Sequence, residues 1–513
     1  MTVTTPLLRV KERIVGPSGI FGIENEWYGY RDQWRFTVGL AGMSGFGVGC
    51  CPPELLPADF APLSAGTYDP LREHPHFGNY IHIPSASIVC FIPAHYIEIT
   101  APGNTNAPFY GTKVTISDTQ SGNAVLPKAF TDAGQSLIGV FVDKYQISNG
   151  KPDGSGSPNH TNGPGGTPLT GGIAVSRPLH WPCSATTKDD GGTDYNSPFS
   201  LVNSTALNSA AGTPANNLGG AWALVKTRGV DFAPIPLWIR SQIAFLSLAH
   251  AQALLDTGGA AIAGATTKAA WMDVAPYAPK GNNNNGSDVN KSSLQFARTD
   301  LTGHNGSGYA GRNSRAFTGA ARISGAAAVE HTTHNGQLSG IVDIQGNQWE
   351  IAPGLTCVGT SAGDMRLFPS SGDWTATTGN ASITGATGVL SLAAESGAAA
   401  DDGVWWTSTG TSNYLVPHAD GTFHPSSEFS DATLRAMTET MLPRELGTSL
   451  SQTATNIYGG DRFYSDLVND LLPFVGGNWA NTASAGVFGV VLVITSSGSD
   501  LSRGARAVRL LAA

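Results

Sequence analysis

The chain has 513 residues, of which 41% are hydrophobic and 13% are charged. This length and apolar content are sufficient for several domains with a sizeable core, which excludes an intrinsically disordered chain. Its 64 glycines and 31 prolines favour β structure joined by long loops. A formal net charge of −9, without a run of Lys or Arg, argues against nucleic acid and against an anionic membrane surface as partners.

The start of the chain and its apolar runs predict a protein without membrane insertion. Residues 1–15 carry several charges and lack the apolar stretch of a secretory signal. The longest apolar runs, such as 487–494, are shorter than the roughly 20 residues that span a bilayer. The five cysteines are scattered without metal-ligand spacing, so we expect reduced, buried thiols and no metal site.

Residues 1–75 predict a small β-rich docking module that ends in a linker. Short strand-like runs surround aromatic residues such as Trp27 and Trp34, which we expect to form a local core. The Pro-rich segment 52–62 cannot continue a central strand, because proline lacks the amide hydrogen that a ladder requires.

The sequence changes in character from Gly78 onward. Apolar and β-branched residues predict a strand pair at 80–83 and 87–93 and a third strand at 96–99. Apolar residues recur with helical spacing over 237–255. We therefore expect an amphipathic helix there that packs against the sheet.

Residues 339–350 predict a buried hairpin. Ile341 and Ile344 fit a strand, and Gly346 supplies a positive φ for a tight turn. Asn347 can bond its own backbone in such a turn, and Trp349 is large enough to anchor a core.

Several phrases of the sequence, taken in order, resemble one family. Segments 334–336, 339–344 and 346–350 resemble the signature HNG…GIYDLNGNVWEW. Segment 476–479 resembles GGSW, and 504–510 resembles a closing GFR strand. These motifs are typical of the formylglycine-generating-enzyme-like branch of the C-type lectin fold, which includes phage tail-fibre and other virion proteins of the major-tropism-determinant type.

The resemblance implies an α+β fold. It places a C-type-lectin-like domain with long loops at residues 76–513, with an insertion at about 365–461, after the β-rich module 1–75. Segments 126–130 and 139–148 resemble the first strands of this family, and segment 237–244 resembles its helix. The positions that match its structural signature are Asp343, Gly346, Asn347, Trp349, Glu350, Gly476 and Gly477.

The resemblance also implies a ligand-binding segment. In lectin-like phage adhesins, the stretch after GGSW is exposed and carries ligand-contacting side chains. The matching residues here are Asn478, Trp479, Asn481, Thr482 and Ser484. Small polar side chains offer donors and acceptors, and a Trp face can stack on a sugar. The alternative is an ordinary turn with Trp479 in the core.

Candidate catalytic motifs lack the context that they require. Segment 359–363 fits G-x-S-x-G, but Pro369 stands where a nucleophile elbow needs a helix. His331 and His334 lie in a Thr/Asn/Gly loop without a third ligand nearby in sequence. The enzymatic branch of the family uses paired reactive cysteines in its C-terminal part, whereas no cysteine follows Cys357 here. We therefore predict no catalytic residues.

The Asn-rich segment 282–288 resembles a loop of the phage relatives and raises the question of calcium. Consecutive Asn residues beside Gly favour self-bonded turns. Their carbonyl oxygens suit Ca²⁺, but only one carboxylate, that of Asp288, is present. We expect no cofactor, with Ca²⁺ as the alternative.

These observations predict a non-enzymatic virion protein of a tailed bacteriophage, assembled in the host cytoplasm. We expect a homotrimeric receptor-binding protein at a tail-fibre tip. Its partners are then a glycan or protein of the host cell surface and other virion proteins. The alternative is a head decoration or structural tail protein that uses the lectin-like fold only for packing. A glycan hydrolase would need paired carboxylates, which the sequence does not reveal.

Overall fold

The structure is a computed structural model that describes residues 14–16, 19–21, 34–100, 113–132, 135–150, 173–180, 182–183, 218–256, 294–296, 318–319, 321–323, 326–327, 329–357, 365–367, 390–391, 411–414, 440–441, 462–465, 471–478, 486–495 and 503–512. The described strands, in chain order, are β1 (Ile14–Gly16), β2 (Gly19–Phe21), β3 (Phe60–Pro62), β4 (Asn79–His82), β5 (Ser87–Pro93), β6 (Tyr96–Thr100), β7 (Lys113–Ser117), β8 (Thr131–Asp132), β9 (Gln135–Asp143), β10 (Ser148–Gly150), β11 (Ile173–Val175), β12 (Phe232–Pro234), β13 (Leu294–Phe296), β14 (Ala321–Ile323), β15 (Ala326–Ala327), β16 (Trp349–Ile351), β17 (Leu355–Cys357), β18 (Met365–Leu367), β19 (Leu390–Ser391), β20 (Thr411–Tyr414), β21 (Arg462–Ser465), β22 (Phe474–Val475), β23 (Val490–Leu492), β24 (Arg503–Gly504) and β25 (Ala507–Ala512).

Helices are few beside these strands. The described helices are α1 (Leu218–Lys226), α2 (Leu237–Asp256) and the short 3₁₀ turns Pro53–Leu55, Ala65–Tyr68, Lys128–Phe130 and Val329–Thr332. The described part of the chain is thus mostly β with two α-helices, which is compatible with an α+β or a β-rich class.

The main sheet combines strands from residues 60–143 with β12 and the C-terminal β25. Its strand order is β12–β25–β9–β5–β4–β3, with β8 paired to β9, and every pairing in it is antiparallel. The predicted strand pair is confirmed as β4 and β5, and the predicted third strand as β6. Strand β9 is central in this sheet, since β5 pairs with one edge and the C-terminal β25 with the other. Its residues from Leu137 to Asp143 are all buried, so both of its faces are covered as well.

A second sheet gathers strands from the C-terminal half. Its order is β20–β21–β23–β22–β16–β24, in which β16 pairs antiparallel with β22 and parallel with β24. The smaller sheets are β1–β2, β6–β7, β10–β11, β13–β14–β15 and β17–β18–β19.

Helix α2 confirms the helix predicted at 237–255, but its surroundings differ from the expectation. The sequence predicts an amphipathic helix, whereas in the structure polar residues such as Arg240, Ser247 and His250 are as buried as the apolar ones. The helix is enclosed because it packs against β7 on one side and places the Phe245 ring 6.0 Å from that of Phe488 on another. A helix that is buried on all faces belongs to the centre of a domain.

The described part of residues 34–75 packs into the same core as the rest of the chain. Val38, Phe46 and Val48 belong to the cluster that also contains strands β5 and β9. The Pro-rich segment 52–62 holds β3, which pairs with β4 at the edge of the main sheet, where proline is tolerated. This segment is therefore a packed edge and not the predicted linker, and a boundary at residue 75 does not separate two cores in the described residues.

Residues 341–348 do not form the predicted hairpin. They follow a series of bends, and the regular strand begins only at Trp349 in β16. Asp343, Gly346 and Asn347 have φ values of 54°, 75° and 58°, which a strand cannot accommodate. Side chains and distant backbone groups hold this irregular path.

All five cysteines are buried and free, which confirms the prediction of reduced thiols. No helix in the described ranges has the length and apolar character needed to cross a bilayer.

Candidate functional site

Arg506 lies at the centre of a fully buried polar network, which we call the signature network. Its Nε and Nη2 donate to Oε1 of Glu350 at 3.0 and 2.6 Å. Its Nη1 donates to the carbonyls of Asp143 and Lys144 at 2.8 and 2.9 Å, and Nη2 also donates to the carbonyl of Val342 at 2.8 Å. One side chain thus ties the start of β25 to the end of β9, to the 342 bend and to β16.

A second arginine reaches the same carboxylate from the central helix. Arg240 on α2 places Nε 3.6 Å from Oε2 of Glu350 and donates from Nη2 to the carbonyl of Ile344. Both guanidinium groups and the carboxylate are buried, so their attraction is only weakly screened. Glu350, a position of the family signature, therefore connects α2 to β25.

Asp143, at the end of β9, forms the other acidic position of the network. Its Oδ1 lies 2.5 Å from Nη1 of Arg228, and its Oδ2 accepts from the backbone N–H of Ala507 at 3.1 Å. Burial raises the pKa of Asp143, while Arg228 opposes part of that rise.

Asp343 is a buried carboxyl in a left-handed backbone conformation. Its Oδ2 accepts from the N–H of Gly319 at 2.7 Å, whereas Oδ1 is without a hydrogen-bond partner in the described residues. Burial raises its pKa to about 7, and the nearby Glu350 adds to the rise. Asp343 can therefore bind a proton near neutral pH, but a substrate cannot contact it because the residue is fully buried.

The remaining signature positions also serve the interior. The Asn347 amide donates to Oε1 of Gln146 at 3.1 Å, and the Gln146 amide donates to the Glu350 carboxylate at 3.3 Å. The backbone N–H of Gly346 donates to the carbonyl of Gly476 at 2.8 Å. The side chain of Trp349 is buried, with 7% of its surface exposed.

The segment predicted to bind a ligand begins next to the signature network. Gly476 and Gly477 follow β22 with φ values of 90° and 79°, and a Cβ at Gly476 would lie 2.9 Å from the carbonyl oxygen of Ile344. The N–H of Gly476 donates to the carbonyl of Gly489 at 2.9 Å, just before β23. Asn478 is half-buried, whereas the other four predicted ligand residues lie outside the described residues: Trp479, Asn481, Thr482 and Ser484.

A row of hydrogen bonds that the sequence analysis missed resembles a Ser-His-Asp triad. His82 places Nε2 3.3 Å from Oδ2 of Asp59 and Nδ1 2.7 Å from Oγ of Ser85, which lies 2.7 Å from Oγ of Ser87. Burial lowers the pKa of His82 to about 4, with Arg228 as the next cause. Ser85 is fully buried in the turn between β4 and β5, so a substrate cannot reach it. The row therefore stabilises the turn, and no sequence motif would have revealed it.

His334 of the HNG phrase is a structural histidine. It accepts from the N–H of Ile341 at 3.1 Å through Nδ1, and its Nε2 lies 3.3 Å from the carbonyl of Gly47. Burial lowers its pKa to about 3. Within the described ranges, no three His, Cys, Asp or Glu side chains are grouped to hold a metal. The Asn-rich segment 282–288 and the G-x-S-x-G segment 359–363 lie outside those ranges.

No protein-family model matches the chain, and no curated protein matches it. Solved structures with some likeness include the Major Tropism Determinant U1 Variant, with 12% identity, 83% of this chain and 64% of that chain covered, and a TM-score of 0.24. The M1 Variant has 11% identity, coverage of 84% and 66%, and a TM-score of 0.25. The I1 Variant has 9% identity, coverage of 91% and 87%, and a TM-score of 0.26. The chain thus spans 64% and 66% of the lengths of the first two. TM-scores of this size do not establish a shared fold, so the function of this chain has to be inferred from its own residues.

Proposed function

We propose that this chain is a non-enzymatic virion protein of a tailed bacteriophage, and that it binds a host receptor through the segment that follows Gly477. The proposal includes a C-type-lectin-like fold of the formylglycine-generating-enzyme-like family, phage branch. The motif resemblance supports this assignment, since its phrases occur in order along the chain.

The observation that carries the proposal is how the signature residues are used. Arg506 donates directly to Glu350, and Gln146 links Asn347 to the same carboxylate. Glu350, Arg506 and Asn347 are each less than 2% exposed. Groups held in this way stabilise a scaffold and do not face a substrate. The paired C-terminal cysteines of the enzymatic branch have no counterpart after Cys357. The family motifs in this chain therefore support a structural scaffold that lacks the chemistry of the enzymatic branch.

The same scaffold holds both ends of the proposed ligand segment. Residues 479–485 connect Asn478, beside the Gly476–Gly489 hydrogen bond, to Gly486, whose carbonyl accepts from the N–H of Gly489 at 2.9 Å. A segment with fixed ends loses less conformational freedom when it binds, which favours recognition.

The composition of the segment favours a polar ligand such as a glycan. Asn481, Thr482 and Ser484 supply short donors and acceptors, and Trp479 supplies a flat apolar face. Binding of several copies as a homotrimer would raise the avidity for a repeated surface ligand.

A triple substitution tests the proposal. We expect Asn481→Ala/Thr482→Ala/Ser484→Ala to reduce adsorption of the phage to its host by about tenfold or more, since each lost hydrogen bond weakens binding by about 1 kcal/mol. The matched control is Thr115→Ala/Thr119→Ala/Ser121→Ala, which alters three exposed, small polar residues near β7. Adsorption is measured as free phage remaining after mixing with cells, alongside particle yield and melting temperature.

The alternative is a head decoration or structural tail protein, and two results would favour it. One is equal adsorption by both triple variants and by wild type. The other is gold-labelled antibody against the chain marking heads and not tail tips in electron micrographs. Tail-tip labelling together with loss of adsorption only in the 481/482/484 variant supports receptor binding.

A further inference from the structure

Lys144 is a buried amine without a charged partner in the described part of the chain. It follows β9 directly and is 4% exposed. Its Nζ donates to Oδ1 of Asn79 and to the carbonyl of Leu338. No Asp or Glu pairs with Lys144 among the described residues, and burial lowers its pKa to about 8. A buried ammonium held only by neutral oxygens is costly, so burial increases the fraction of neutral amine.

Asn79 presents its side-chain carbonyl to this amine in a fixed orientation. The residue lies on β4 and is fully buried. Its Nδ2 donates to the carbonyls of Phe77 and Ser339 at 3.0 and 2.8 Å, which leaves Oδ1 directed at Lys144. The Oδ1 atom that accepts from this amine is bonded directly to Cγ, the electrophilic carbon of the amide.

The thiol of Cys90 lies beside the side-chain nitrogen of Asn79. Sγ of Cys90 on β5 is 3.5 Å from Nδ2 of Asn79 and 3.5 Å from the carbonyl oxygen of Ser339. Burial raises the pKa of Cys90 to about 11, so the thiol keeps its proton at neutral pH.

We propose that Lys144 and Asn79 join in an intramolecular isopeptide bond. The neutral amine of Lys144 attacks Cγ of Asn79, the Nζ–Cγ bond forms and the Cγ–Nδ2 bond breaks. Cys90 gives its proton to the departing nitrogen and regains one from Nζ, so ammonia leaves and no oxidant or reductant takes part. The product is a neutral amide in place of a buried amine.

The surroundings favour this step in two ways. With a pKa of about 8, about a tenth of the amine is neutral at pH 7, compared with well under about one part in a thousand for an exposed lysine. Both reactants are also held in contact by the fold, which removes most of the entropic barrier. The bond would link β4 to the end of β9 across the intervening β5, a staple within the main sheet. This inference is independent of the proposed function.

Mass spectrometry of the full chain tests the proposal. We expect the folded wild-type protein to weigh one ammonia less than its sequence, and Lys144→Arg and Asn79→Ala to keep the unmodified mass. After digestion, a branched peptide should join the segments that contain residues 79 and 144. The wild-type measurement decides even where a variant folds poorly.

Two results would overturn the crosslink. One is a wild-type mass equal to that of the unmodified sequence after prolonged incubation of the folded protein. The other is ammonia loss confined to a linear peptide, as in succinimide formation at Asn335-Gly336. Cys90→Ala tests the proton transfer, and we expect about a hundredfold slower ammonia loss after refolding. An unchanged rate would overturn the role assigned to the thiol.

Discussion

Replacing Arg506 by Met should destabilise the protein more than any surface substitution in the same strand region. The change removes both Arg506 donors to Oε1 of Glu350 and leaves that carboxylate with the neutral Gln146 amide at 3.3 Å and with Arg240 at 3.6 Å. The carbonyls of Asp143 and Val342 lose a charged donor inside the core. Removing one partner of a buried ion pair costs about 3–5 kcal/mol of unfolding free energy, because the remaining charge stays buried without compensation.

The matched control is Arg509→Met, three residues later on β25. Arg509 pairs with Asp59 and Asp231, whose side chains are 36% and 63% exposed. Pairs of this kind contribute about 0–1 kcal/mol, because water screens them. Arg506→Lys is a third variant, which keeps the charge but loses the planar fork, and we expect about 1–3 kcal/mol.

Unfolding in guanidinium chloride, followed by Trp fluorescence, measures all three variants against wild type. The expected order of destabilisation is Arg506→Met, then Arg506→Lys, then Arg509→Met. If Arg506→Met unfolds at the same denaturant concentration as Arg509→Met, the signature network does not stabilise the fold and the scaffold argument for function fails.

Three further predictions concern the core, the pH response and the N-terminal residues. Trp349→Ala should leave a cavity beside β16 and cost about 3–5 kcal/mol, measured by the same titration; a midpoint equal to wild type would contradict its burial. The folded pKa of Asp343 is about 7 and its ordinary value is 3.8, so the stability it contributes is present below 3.8 and is lost as pH rises through 7. Asp343→Asn should therefore become more stable relative to wild type between pH 4 and pH 8, and a constant difference in melting temperature across that range would refute the assignment. Deletion of residues 1–33, which precede the described core, should leave a folded protein that is missing from purified virions on an immunoblot; a normal amount there would remove the docking role.

Local patterns of the sequence were sufficient for several elements. Strands β4, β5 and β6 and helix α2 lie where alternation and helical spacing predict them. These signals are reliable because they depend on which side chains share a face, and that is decided by residues within one element. The buried free thiols follow from cysteine spacing in the same way.

Other features could not be predicted, because their causes are distant in the chain. The bends at 341–348 exist because buried partners such as Gly319 and Arg506 hold Asp343 and Val342 in place. Segment 52–62 is a packed edge because β4 happens to lie beside it. These distant partners cannot be identified from the local sequence.

The sequence by itself determined the periodic elements, the chemistry available to each segment and the order of the family motifs. Only the tertiary structure decided that Asp143, Glu350, Arg240 and Arg506 share one buried network, although 364 positions separate Asp143 from Ala507, whose N–H it accepts. The same is true of Lys144 and Asn79, which meet across β5. Burial and charge pairing depend on which distant segments exclude water together, and that is a property of the assembled core.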